Sequence, residues 1–120
     1  MSGSVSDERD GAAVIEAFNR AWGAHDLDGA LAWITDDCLF ESTSPAPDGG
    51  RYVGPDAIRG AWQAIFADTG SRFDAEEAFG LGDRFIQRWR YSWDGGHVRG
   101  VDVFRVRDGK VAEKLSYVKG

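Results

Sequence analysis

Val98-Arg99-Gly100-Val101-Asp102-Val103-Phe104-Arg105-Val106, then Asp108-Gly109, then Val111-Ala112-Glu113-Lys114-Leu115-Ser116-Tyr117-Val118, is the stretch that decides the fold. Runs rich in β-branched and aromatic residues, bounded by turn residues, read as strands. Asp-Gly between two such runs signals a tight hairpin, because the turn needs residues that tolerate positive φ. Within a strand, residues two apart share a face. Gly100, Asp102, Phe104 and Val106 therefore lie on one face, and Val101 and Val103 on the other. Asp102 is apolar on both sides, and a carboxylate there must be paired, hydrogen-bonded or neutral. Two readings stay open: a structural ion pair with a Lys or Arg, or an acid placed for proton transfer, since perturbed carboxyl groups gather at functional sites.

Working outward, Arg84–Trp93 alternates in the same way. Phe85, Gln87, Trp89, Tyr91 and Trp93 share one face, and Asp94-Gly95-Gly96 turns the chain into the Asp102 strand. Arg72–Phe79 precedes it through the turn Gly80-Leu81-Gly82. The second half is thus a four-strand antiparallel meander. Its charges Arg84, Arg88, Arg90, Arg99, Arg105 and Arg107 are expected to pair with acids on the outer face. The first half carries helical spacing. Val14, Ile15, Phe18, Ala21 and Trp22 mark a helix over about residues 10 to 25. Asp26 caps a short second helix with Leu27, Ala30, Leu31 and Ile34. Cys38–Thr43 reads as a strand, and Ser44–Gly50 as a loop broken by Pro and Gly. Pro55 opens a third helix whose apolar face is Ile58, Ala61, Trp62, Ile65 and Phe66. Residues 1 to 9 read as a disordered tail and 10 to 120 as one domain. Helices laid on one face of such a sheet give an α+β fold. The other face keeps Val101, Val103, Leu115 and Tyr117, a patch best hidden in a homodimer.

Composition narrows the function classes. The net charge is -6 over 120 residues, against the basic patch that nucleic-acid binding requires and against an anionic membrane surface. No run approaches the ~18 apolar residues of a transmembrane helix, and Met1–Asp10 has no apolar signal core. A cytoplasmic protein is expected. Cys38 stands alone and reads as a buried small hydrophobe. His25 and His97 are too few and too distant for a metal cluster. His97, at a hairpin end, reads as a solvated turn residue.

Four segments carry a resemblance. They are Ala24-His25-Asp26-Leu27-Asp28, Thr35-Asp36-Asp37-Cys38-Leu39-Phe40-Glu41, Gly54-Pro55-Asp56-Ala57-Ile58-Arg59, and the ending Asp102–Val111. Together they resemble the nuclear transport factor 2-like superfamily over about residues 12 to 118, closest to its SnoaL-like and ketosteroid-isomerase-like branch. The resemblance implies a cystatin-like fold, in which a curved, mostly antiparallel sheet forms a conical barrel over three helices around a deep apolar pocket. It implies a small hydrophobic ligand, such as a ketone, polyketide or terpenoid, and no cofactor. Asp102 matches the buried aspartate that donates a hydrogen bond in ketosteroid isomerases. Two companions are missing: Ser42 stands where the general base belongs, and Phe18 replaces the donor tyrosine. Ser116 stands where the epoxide hydrolases of the superfamily place an acid. Steroid isomerisation by the isomerase mechanism is therefore not expected.

The expected site has Asp102 as its catalytic residue. Phe18, Trp22, Phe40, Ser42, Trp62, Phe66, Trp89, Phe104, Lys114 and Ser116 line the pocket, with Trp62 at a position matching a pocket aromatic in the isomerases. Lys114 then lies near Asp102 across adjacent strands. Two functions fit. One is a cofactor-free acid/base isomerase, cyclase or dehydratase acting on an apolar carbonyl compound. The other is a non-catalytic module that binds a ligand, dimerises or docks a protein. An open cavity above about 300 Å³ beside Asp102 favours a ligand.

Overall fold

A computed structural model describes residues 3–119, with side chains from Gly11 onward. Of the expected tail, residues 1 and 2 lie outside the described residues, and residues 3 to 9 belong to a helix. The deciding hairpin forms as read: Asp108 and Gly109 take φ of 55° and 73°. They join β5 (Gly96–Arg107) to β6 (Lys110–Val118). Before them run β3 (Arg72–Leu81) and β4 (Arg84–Trp93). The meander pairs throughout as antiparallel neighbours.

The remaining elements are α1 (Gly3–Gly23), α2 (Leu27–Leu31), β1 (Ile34–Glu41), β2 (Arg51–Val53) and α3 (Pro55–Ala67). The sheet order is β2-β1-β6-β5-β4-β3. β1 runs parallel to β6, the one parallel pair, and antiparallel to β2. The sheet is curved but unclosed, since β2 and β3 remain as edges, so the expected barrel is an open one. Several boundaries differ from the sequence reading: α1 starts earlier, at Gly3, and β3 runs on through Gly80 and Leu81, which pair with Phe85 and Arg84 where a turn is expected. Ile34 was placed in the second helix, yet it starts β1 and is buried. The first strand was set at Cys38–Thr43; it spans Ile34–Glu41, because Ser42 and Gly50 close a loop by hydrogen bonds instead. β2 is not among the elements expected from the sequence, because three residues after a Pro/Gly run carry no periodicity.

Local chemistry explains the helix ends. α1 stops in a Schellman turn: His25 takes φ 56°, Asp26 N–H bonds the Ala21 carbonyl and His25 N–H bonds that of Trp22. Asp26 then caps α2, its carboxylate accepting from Gly29 N–H at 3.0 Å. Val14, Ile15 and Phe18 of α1 and Ile58, Trp62 and Phe66 of α3 are buried against the concave sheet face. On the outer face the arginines behave as expected, with one exception. Arg84 and Arg105 pair with Glu113, Arg88 with Glu77, Arg99 with Glu76 and Arg107 with Asp37. Arg90 instead meets His97 Nδ1 at 3.3 Å. No helix among the described residues is long and apolar enough to cross a membrane.

Candidate functional site

Strand register sets two rows of side chains across the concave face. Phe40 of β1, Lys114 of β6, Phe104 of β5 and Phe85 of β4 stand side by side. The next row runs Ser116, Asp102, Gln87. Lys114 is thus the one charged member of an aromatic row. It stands diagonal to Asp102, within reach for a long side chain. Its Nζ lies 3.3 Å from Asp102 Oδ2 and donates to Ser116 Oγ at 3.0 Å. It also sits over the Trp22 ring at 4.7 Å and the Phe40 ring at 5.1 Å. The side chains of Lys114 and Asp102 are only 8% and 2% exposed, so the pair is shielded from water. Asp102 Oδ1 is buried and has no hydrogen-bond partner among the described residues. A buried, unpartnered acceptor is uncommon and calls for a reason.

The pair forms part of the wall of a cavity of about 450 Å³. Seven of the expected site residues lie in that wall: Trp22, Phe40, Ser42, Trp89, Asp102, Lys114 and Ser116. Four do not. Phe18, Trp62, Phe66 and Phe104 are buried behind it as core. Trp62 is 0% exposed because rings from three elements enclose it: Phe18, Trp22, Phe40 and Phe66 all have centroids within 5.9 Å. Its position therefore supports the wall from behind. The structure adds Tyr52, Phe73, Tyr91, Ala61 and Ile65 to the lining. Tyr91 was legible by alternation with Trp89, and Ala61 and Ile65 by their place on the apolar face of α3. Tyr52 was not, since its strand was missed.

Ser42 is not free to act as a base. Its hydroxyl donates to the Ser44 carbonyl and accepts from Gly50 N–H, both at 2.8 Å, which ties down the β1–β2 loop. Cys38 is fully buried, and burial pushes its thiol up to about 12 despite the nearby Lys114 charge. It stays protonated at neutral pH and is no nucleophile. Among the described residues, no cluster of three or more His, Cys, Asp or Glu is placed to hold a metal. A second recess of about 700 Å³ lies between α1 and β3. Its buried polar residue, Gln87, is already bonded to Asn19 by both amide groups, at 2.6 and 3.1 Å, so it presents no free buried group.

The profile of the SnoaL-like domain matches residues 15–114. The chain belongs to the SnoaL-like domain family. Its fold is shared with an NTF2-like protein of unknown function from Mesorhizobium loti, 43% identical, with a TM-score of 0.85 over 94% of this chain and 93% of that one. A candidate polyketide cyclase from Xanthomonas campestris is 18% identical, with a TM-score of 0.75 over 94% and 93%. A candidate ketosteroid isomerase from Kribbella flavida is 11% identical, with a TM-score of 0.79 over 95% and 81%. No curated protein matches. The last two likenesses bear on fold alone. For this SnoaL-like domain the chemistry must be read from its own wall, where the buried carboxylate has a lysine beside it.

Proposed function

We propose that this SnoaL-like domain takes a small, neutral, largely apolar carbonyl compound into its cavity and moves a proton on it without a cofactor. One observation carries the reading: the Asp102–Lys114 pair, 3.3 Å apart, is set in a wall whose other side chains are aromatic, aliphatic or hydroxyl-bearing. Cavities of this size and lining suit small molecules. The pair has no net charge. A carboxylate ligand drawn to Lys114 would meet Asp102 at once, whereas a ketone oxygen accepts from the ammonium without that repulsion. Lys114 then holds the developing enolate oxygen. Asp102 accepts the α-proton through Oδ1, the atom that has no partner among the described residues. Positioned acid/base groups typically contribute about 10²–10⁴-fold.

The test is deuterium exchange at the α-carbons of a bicyclic ketone such as 2-decalone, followed by NMR in D2O. The native protein should accelerate exchange, and Asp102→Asn should lose about 10²-fold or more of that acceleration while still binding the ketone. Binding with no exchange in either form selects the second reading, a non-catalytic ligand binder. The pairing favours that alternative in one respect, because Asp102 Oδ2 is already engaged by Lys114.

We also propose a homodimer through the outer sheet face. Val101 pairs with Tyr117 and Val103 with Leu115 there, and Tyr117 is 54% exposed. Sedimentation equilibrium should report a dimer, and Leu115→Lys should shift it to monomer. A native protein that is monomeric at all concentrations removes this part.

A further inference from the structure

We propose that Lys114 captures an aldehyde or ketone covalently, as an imine on Nζ. The proposal rests on the reading of the cavity as a carbonyl site and gives Lys114 a covalent role there, in place of a hydrogen bond to the carbonyl oxygen.

The first argument is which cation the chain uses where. It has eleven Arg and three Lys: Lys110, Lys114 and Lys119. Every other ion pair among the described residues is made by an arginine. Lys110 and Lys119 are exposed. A guanidinium binds a carboxylate with better geometry but never gives up its proton, whereas an amine does so readily when buried. At the one pair in the cavity wall, the chain uses the cation that can become a nucleophile.

The second argument is the surroundings. Lys114 is 6% exposed and faces the aromatic rings of Trp22 and Phe40. Desolvation in an apolar pocket is one of the ways a lysine is activated for Schiff-base chemistry. A proton acceptor stands 3.3 Å away in Asp102.

The steps balance without an oxidant or reductant. The ammonium passes one proton to Asp102, leaving an amine and a carboxylic acid. The nitrogen lone pair attacks the carbonyl carbon, and the nitrogen gives a second proton to the resulting oxygen. Asp102 then protonates that hydroxyl, the C–O bond breaks and water leaves. The nitrogen lone pair completes the C=N bond and gives an iminium beside a carboxylate. The charge pair is thereby restored with the ligand attached, and added water reverses the sequence.

The experiment uses the whole chain with 3-phenylpropanal and sodium cyanoborohydride, read by intact mass and peptide mapping. Reduction should leave a single secondary amine on Lys114, formed about tenfold or more faster than on Lys110, Lys119 or the N-terminus. Saturating 2-decalone should slow it. Lys114→Arg, which keeps the charge and the pair, should fold by circular dichroism and lose that adduct. Asp102→Asn should form it more slowly. Adducts spread equally over all the amines, or a Lys114 left unmodified while Trp fluorescence still reports ketone binding, overturns the imine and leaves the carbonyl reading standing. Absence of both the adduct and any ketone binding overturns the two together.

Discussion

Lys114→Met tests whether the Asp102–Lys114 pair is shielded from water, the premise of everything proposed for the cavity. Methionine keeps most of the apolar stem and removes the ammonium. Asp102 then loses its only ion-pair partner among the described residues, with Oδ1 already unpartnered. At 2% side-chain exposure solvent screening softens that loss little. Breaking a buried pair by deleting one member costs about 3–5 kcal/mol, a large part of the roughly 5–15 kcal/mol that holds a domain folded. With a urea slope of about 2 kcal/mol per M, the unfolding midpoint should fall by about 2 M. The double variant Asp102→Leu/Lys114→Met removes both charges and should recover to within about 1–2 kcal/mol of the native protein, because apolar replacement of a whole buried pair is often neutral. The coupling in this cycle should exceed about 2 kcal/mol. A loss under about 1 kcal/mol for Lys114→Met, with strictly additive effects in the double variant, is the behaviour of a solvated pair and would refute the reasoning.

Three further outcomes are expected. Trp62→Ala should cost about 3–5 kcal/mol in urea titration, because a ring enclosed by four others is lost; Phe73→Ala, in the cavity wall, should instead mainly weaken ketone binding in fluorescence titration. The Cys38 thiol should resist Ellman's reagent in the native protein at pH 8 and react fully in urea; fast native labelling would contradict its burial. Asp37, midway along β1, is held below the usual carboxylate range first by its hydrogen bond from Arg107 and then by that from Thr35. A depressed folded-state pKa means its contribution is present above the unfolded value of about 3.9 and disappears as pH falls through the lower folded value. Asp37→Asn should therefore flatten the acid limb of the stability curve below about pH 4, and an unchanged limb by thermal melts would count against the pairing.

Much of the fold was legible because its signals are local. Alternation in Arg84–Trp93 and Val98–Val106, the Asp108-Gly109 turn, the Asp26 cap and the helical spacing of Val14 to Trp22 each act within a few residues. Asp102 stood out for the same reason, as a charge flanked by apolar positions on both faces. The sequence by itself determined the elements and the identity of the buried acid. Only the tertiary structure decided what meets that acid. β6 pairs with β1 in parallel across most of the chain length, and this places Lys114 between Phe40 and Phe104 and one diagonal step from Asp102. Whether an apolar ring lines a cavity or fills the core behind it was equally beyond reach. Trp22 and Trp62 are both large, apolar and on helix faces turned inward, and only the packing of α1 and α3 against the sheet leaves one facing open space and the other enclosed. Periodicity tells which side of an element is turned inward. It carries no information about how far the opposing layer stands away, and that distance is what separates a pocket from a core.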